Sequence, residues 1–373
     1  MRALPLATLA LLTSLLLSGC DSPATPPPAW QLGILVDTSG PSASLGISGR
    51  NGMQLAVEQA NAQGGIQGRP VELVFRDDAF NPVQARHAAG ELIALQVDAA
   101  LGPMTSLVAE QVAPLFSDAG ILLMGGSPLT RQLAGRDDQF FRTLSHDNPD
   151  ARAIARHLRE ALQLQHLAVL VESSNSAFTR PWLDDFTAHF AALGGQLHAP
   201  IEFQRDPQTD FAALARQALA SGPQGVVLVS SALDTALLAT QLRQQHPGLP
   251  LAAPAWSAAD DLIGMGGKAV EGLVTSQVFD LDDPSAHFRA FRDAFEKRFG
   301  QPINTASVTG YNAAQVLLEA MRQGQPGESL KQTLLRIRRF NGLQYEIVFD
   351  DYGDSHSPFY LMVVRDGRYS RAD

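Results

Sequence analysis

The chain has one cysteine, Cys20, in 373 residues. With no second thiol to pair with, it can form no internal disulfide, and it cannot build a cysteine zinc site. It has no basic run. Its 28 Lys and Arg face 38 Asp and Glu, a formal net charge of −10, so nucleic acid and anionic lipid surfaces are poor candidates for partners. Beyond residue 17 no apolar stretch approaches the length of a membrane span. Enzyme signatures are missing too. There is no Gly-x-Ser-x-Gly, no His-Glu-x-x-His and no Gly-x-x-x-x-Gly-Lys. Gly264-Met-Gly-Gly267 lacks the strand–turn–helix setting of a nucleotide loop. These absences predict a chain that is not an enzyme and takes no cofactor, no metal and no nucleic acid.

What is present begins at the N-terminus. Arg2 is the only side-chain charge before Asp21, and Leu6 to Leu17 is almost wholly apolar. That pairing reads as a secretory signal over residues 1–19. Leu17-Ser18-Gly19-Cys20 resembles the lipobox of bacterial lipoproteins. The resemblance implies cleavage before Cys20 and acyl chains on its sulfur and new amino group. Several chains anchor a protein firmly where one binds only marginally. Asp21 resembles an inner-membrane retention signal. Residues 20–29 read as an extended tether, with four prolines between Ser22 and Ala29. Removing Arg2 leaves 27 basic against 38 acidic residues, a net charge of −11. Lipid-anchored placement on the periplasmic face of a bacterial membrane is the expectation.

After the tether, short apolar runs alternate with helical patterns. Leu32–Val36, Val71–Phe75, Ala99–Leu101 and Ile121–Met124 read as strands, as do Leu167–Val171, Val226–Val229 and Leu251–Ala253. Met53, Ala56, Val57 and Ala60 recur at helical spacing until Gly64-Gly65. Pro82–Leu95 is a helix with Asn81 as its cap and Pro82 at its first position. Further helices are expected at Trp182–Ala192, Phe211–Ala220, Leu233–Gln245, His287–Phe299, Val308–Met321 and Leu330–Ile337. The tail, 343–364, reads as strands around the turn Asp350–Asp354. Alternation of this kind predicts an α/β chain of two doubly wound, three-layer lobes, with ligands at the carboxyl ends of the strands.

Four loop regions carry a further signal. They are Asp37–Gly46, Asn61–Pro70, Asp77–Pro82, and Gly102–Ser106 followed by Gly125–Thr130. In this order and spacing they resemble the branched-chain amino-acid/amide type of periplasmic solute-binding protein, over Trp30 to Arg368. Ala269–Gly272 and Gly310–Ala314 match further patterns of that family. The resemblance implies a type I clamshell, with lobe 1 at 30–143 plus 279–350 and lobe 2 at 144–278 plus 351–373. Crossings are expected near Arg142–Ser145, Gln277–Asp280 and Asp350–Asp354. A small molecule would bind between the lobes, be buried by hinge closure, and be delivered to an ABC permease. The same fold serves sensing or regulatory lipoproteins that contact a partner protein, and this is the alternative.

Thr105 and Ser106 stand where a strand ends and a helix begins, a place that welcomes a carboxylate. The hydroxyl aligned with Ser106 holds the ligand carboxylate in the family; alternatively Ser106 caps its own helix. Gly125, Gly126 and Ser127 allow close backbone approach, and Leu45 aligns with a contact position. In the second lobe Ser176, Ala177 or Phe178 stands where an aromatic is usual, followed by Ser230 and Ser231. Trp256 stacks on a ligand or packs at the hinge. Phe279 and Tyr311 are similar candidates, Tyr311 better read as core or helix cap. The acid that pairs with a ligand ammonium in the family aligns with Ala255. Either Asp260 or Asp261 substitutes, or the ligand has no α-amino group, because an unpaired buried ammonium is costly. His146, Asp147 and Asp150 read as caps of a helix beginning near Asp150 rather than metal ligands. Asp350, Asp351, Asp354 and His356 fit turn chemistry better than calcium.

Overall fold

Trp30–Val36 (β1) is apolar on both sides, and both sides are covered. In the computed structural model, which describes residues 28–372, Leu32, Ile34 and Val36 enter one core and Leu35 another. This is the period-2 alternation of a strand buried on two faces. The expected signal, Cys20 and the tether up to residue 27 lie outside the described residues. β1 pairs in parallel with Val71–Asp77 (β2) and Ala99–Leu101 (β3). The sheet continues through Leu122–Gly125 (β4) to Phe140–Arg142 (β5), in the order β2-β1-β3-β4-β5. Ala43–Ala62 (α1) covers one face, while Pro82–Ala94 (α2) and Ser106–Asp118 (α3) cover the other. Asn81 caps α2 as its sequence predicts, accepting from the N–H groups of Val83 and Gln84.

The second lobe follows Pro149–Arg156 (α4). Its sheet is built on His166–Glu172 (β6), beside Gln196–Leu197 (β7), Ile201–Phe203 (β8) and Gly225–Val229 (β9). Leu251–Ala252 (β10) and Val274–Gln277 (β11) extend it in parallel. Ser176–Ala192 (α5) and α4 lie on one face; Phe211–Leu219 (α6), Ala232–Gln245 (α7) and Asp260–Gly266 (α8) lie on the other. Trp182, Phe186 and Phe190 follow one another at helical spacing on α5 and stack at 5.4 and 5.7 Å.

The chain then returns to the first core. Ala286–Phe299 (α9), Thr305–Gln323 (α10) and Leu330–Ile337 (α11) pack against the α1 face, with a ribbon of Arg339–Asn341 (β12) and Glu346–Val348 (β13). Tyr360–Arg365 (β14) and Arg368–Arg371 (β15) finally add antiparallel edges to the second sheet. α1 and α10 touch backbone to backbone. A Cβ on Gly52 would lie 2.1 Å from the Ser307 carbonyl oxygen, and one on Gly310 would lie 2.3 Å from that of Gly49. The Gly310–Ala314 pattern therefore has a packing cause.

Three crossings join the lobes. The first two lie at 143–148 and at Val278, between β5 and α4 and after β11. The third falls later than expected. The turn Asp350–Asp354 belongs to lobe 1, because Gly353 accepts from the Arg142 N–H at 3.0 Å and Asp354 accepts from the buried Arg142 Nε at 2.7 Å. The chain crosses at 355–359, where Ser357 Oγ accepts from the Ser145 N–H at 3.2 Å. No helix among the described residues is long and apolar enough to cross a membrane.

Candidate ligand-binding site

A cavity of about 70 Å³ lies between the lobes. Its wall is assembled from the segments that leave the carboxyl ends of β3, β4, β5, β6, β10 and β11, as doubly wound sheets dictate. Lobe 1 contributes Thr105, Ser106 and Ser127, with Leu45 from α1 and Thr305 from the start of α10. Lobe 2 and the crossings contribute Asp150, Asn175, Phe178, Trp256 and Val278.

Local geometry aims the lobe 1 end. Gly102 closes β3 with φ +103, and a Cβ there would lie 2.1 Å from the Leu35 carbonyl oxygen. Only glycine turns the chain into α3 at that point. The N-cap of α3 is Thr105, which makes no side-chain capping bond. Ser106 does not cap the helix either. Its Oγ accepts from the Leu129 N–H at 3.0 Å, which leaves its own proton to donate. The Leu107 N–H is taken by Asn175 Oδ1 at 3.2 Å, across the cleft. Ser127 Oγ donates to the Met104 carbonyl at 2.7 Å.

Three wall atoms are buried without a hydrogen-bond partner: Thr105 Oγ1, Thr305 Oγ1 and Asn148 Oδ1. Buried polar groups are nearly always paired, so this cluster marks a place where a polar guest completes the bonding. The remaining wall is mostly apolar. Phe178 and Trp256 meet edge to face at 5.7 Å, so Trp256 both packs and lines the cavity.

Among the described residues Asp150 is the only acidic or basic side chain on the cavity wall. Its Oδ2 accepts from Trp182 Nε1 at 3.0 Å, Ser276 Oγ at 3.1 Å and the Ala255 N–H at 3.4 Å. Burial pushes its carboxyl above the usual range, and these donors pull the other way. Sequence reasoning gave Asp150 a capping role and missed its place in the cavity. The cap of α4 is Asn148, in the left-handed region at φ 44, and Asp147 instead accepts from the Ser145 hydroxyl. No sequence signal separates these acids; only the fold does.

Thr105, Ser106, Ser127, Leu45, Phe178 and Trp256 are brought together. Three other expected residues are not. Phe279 is fully buried in the lobe 1 core, 6.1 Å from Phe288. Successive side chains at an extended crossing face opposite ways, so Val278 takes the cavity and Phe279 the core. Gly126 is buried beside Met104 and Met53, behind the wall. Ser231 caps α7 and lines outer openings of the cleft. Tyr311 packs on Phe291 at 4.6 Å, in the core as read. Asp261 borders an outer opening; the side chain of Asp260 lies outside the described ones. The acidic turn is spent internally. Asp350 Oδ1 accepts from the N–H groups of Tyr352 and Asp354 at 2.8 and 3.0 Å. Among the described residues no group of three His, Cys, Asp or Glu could hold a metal ion.

Comparison with known proteins agrees with this architecture. The model of the periplasmic binding protein family matches residues 29–368. The Leucine-, isoleucine-, valine-, threonine-, and alanine-binding protein of Pseudomonas aeruginosa is 24% identical over 325 residues, covering 85% of this chain and 84% of that protein. Among solved structures, a branched-chain amino acid transporter substrate binding protein of Streptococcus pneumoniae, in complex with isoleucine, has a TM-score of 0.83 at 20% identity, covering 91% of this chain and 97% of that one. A solute binding protein of an ABC transporter from R. palustris, in complex with benzoate, has a TM-score of 0.81 at 21% identity, covering 92% and 95%.

Proposed function

The chain belongs to the periplasmic binding protein family, and on that premise we propose that it is the extracytoplasmic solute-binding component of an ABC importer. It captures a small carboxylate ligand with an apolar body between its lobes and delivers it to the permease. The observation that carries this reading is the interlobe cavity, whose wall holds the unpartnered Thr105 and Thr305 hydroxyls together with Ser106 at the start of α3, its proton free to donate. A carboxylate there gains charge-assisted hydrogen bonds and the positive end of a helix dipole. The relatives support the ligand class, since one is described as binding amino acids and one structural neighbour holds benzoate.

Isothermal titration of the purified chain against amino acids and aromatic acids tests the reading. At least one small carboxylate should bind, and Ser106→Ala should weaken it by about ten- to a hundredfold, the loss of one hydrogen bond to a charged group. Failure of every small carboxylate to bind, or full affinity in Ser106→Ala, would overturn the placement of the carboxylate.

A further inference from the structure

We propose that Asp150 is the specificity-determining residue of this cavity and receives a cationic nitrogen of the ligand. The inference rests on the reading of the cavity as a ligand site and deepens it.

Three observations carry it. Asp150 is buried and lines the cavity, so its carboxylate meets whatever fills the space. Among the described residues no cationic side chain shares that wall, so none of them supplies a countercharge. The donors that reach Asp150 Oδ2 are an indole N–H, a hydroxyl and a backbone N–H, all neutral. Burial raises the pKa of this carboxyl and so favours its protonated form, against which the donors converging on one oxygen pull. They orient it without neutralising it.

Electrostatics then discriminates between ligands. A ligand with a carboxylate alone would bring its negative charge into a water-poor space beside Asp150. Like charges in such a space repel strongly, so Asp150 would have to be protonated in that complex. A ligand carrying both a carboxylate and an ammonium leaves its negative end at α3 and sets its positive end against Asp150. It neutralises the buried carboxylate instead of opposing it. Position 255, where an acid could have stood, is alanine, and its N–H points to Asp150 Oδ2.

The test compares L-leucine and L-phenylalanine with their deaminated counterparts, 4-methylpentanoate and 3-phenylpropanoate, by isothermal titration at pH 7. The wild-type chain should prefer the amino acids. Titration in two buffers of different ionisation enthalpy should show more proton uptake, or less release, with the deaminated acids than with the amino acids. In Asp150→Asn, amino-acid affinity should fall by about a hundredfold, the scale of losing one partner of a buried charge pair. The deaminated acids should lose nothing. Wild-type binding of the deaminated acids as tight as that of the amino acids, with the same proton exchange, overturns the inference while the carboxylate site stands. So does an unchanged amino-acid preference in Asp150→Asn. Binding of neither class fails the carboxylate site itself, and this inference with it. The wild-type comparison needs no variant, so a poorly folding Asp150→Asn does not remove the test.

Discussion

Asp78 shows how one side chain links burial to pH. It is almost fully buried, and its Oδ1 accepts from the Phe80 N–H at 2.8 Å. Desolvation pushes its pKa from 3.8 up to about 7, with Asp37 and Asp77 adding like-charge repulsion. The folded state therefore holds this proton more tightly than the unfolded state. Its contribution is fully present near pH 3.8 and is lost as pH rises towards about 7. Asp78→Asn keeps an oxygen for Phe80 and removes the titration. At pH 8 it should be more stable than wild type, by up to about 4 kcal/mol at roughly 1.4 kcal/mol per unit. Near pH 4 the difference should vanish. Urea denaturation at both pH values checks this, and equal differences at the two would refute it.

At the scale of elements, the tightest joint is between α1 and α10. Gly52 and Gly310 let the two helix backbones meet where a Cβ would lie 2.1 and 2.3 Å from a carbonyl oxygen. Backbone cannot rotate away as a side chain can. Gly52→Ala or Gly310→Ala should therefore cost about 1–3 kcal/mol or more, the range of overpacked cores. Since alanine outranks glycine in an unhindered helix, a gain in stability by denaturant melt would contradict the close contact. Elements also show what was legible in advance. Long helices and continuous apolar strands were clear, because Pro82, the Asn81 cap and runs such as Leu167–Val171 act locally. The short strands β5, β7, β8 and β15 were not expected. Each is two to four residues long, and such segments become strands only because a neighbouring edge accepts their hydrogen bonds.

For the whole molecule, two of the contacts between the lobes bear on closure, beside others such as Arg371 with Asp280 at 2.6 Å. Asn175 Oδ1 accepts from the Leu107 N–H at 3.2 Å, and Arg131 pairs with Asp185. The second is part exposed and contributes little. The first lies at the cavity wall, where the α3 N–H otherwise has no acceptor. Asn175→Ala should shift the hinge towards the open form by about tenfold, the equivalent of one hydrogen bond. Small-angle scattering should then require correspondingly more ligand to reach the compact profile. The same closing titration as wild type would show that Asn175 does not latch the lobes.

The sequence by itself determined the α/β lobes; a carboxylate-binding position at Ser106 and a lipid anchor at Cys20 are expectations drawn from it. These rest on apolar periodicity, caps and short motifs, which act between residues close in the chain. Only the tertiary structure decided that Asp150 shares a cavity with Ser106, that Val278 and not Phe279 faces it, and that the Asp350–Asp354 turn stays with Arg142. Those outcomes depend on which of two strand faces is covered and on which distant loops converge at the sheet ends. Residues far apart in sequence meet there through packing, and no local pattern records the meeting.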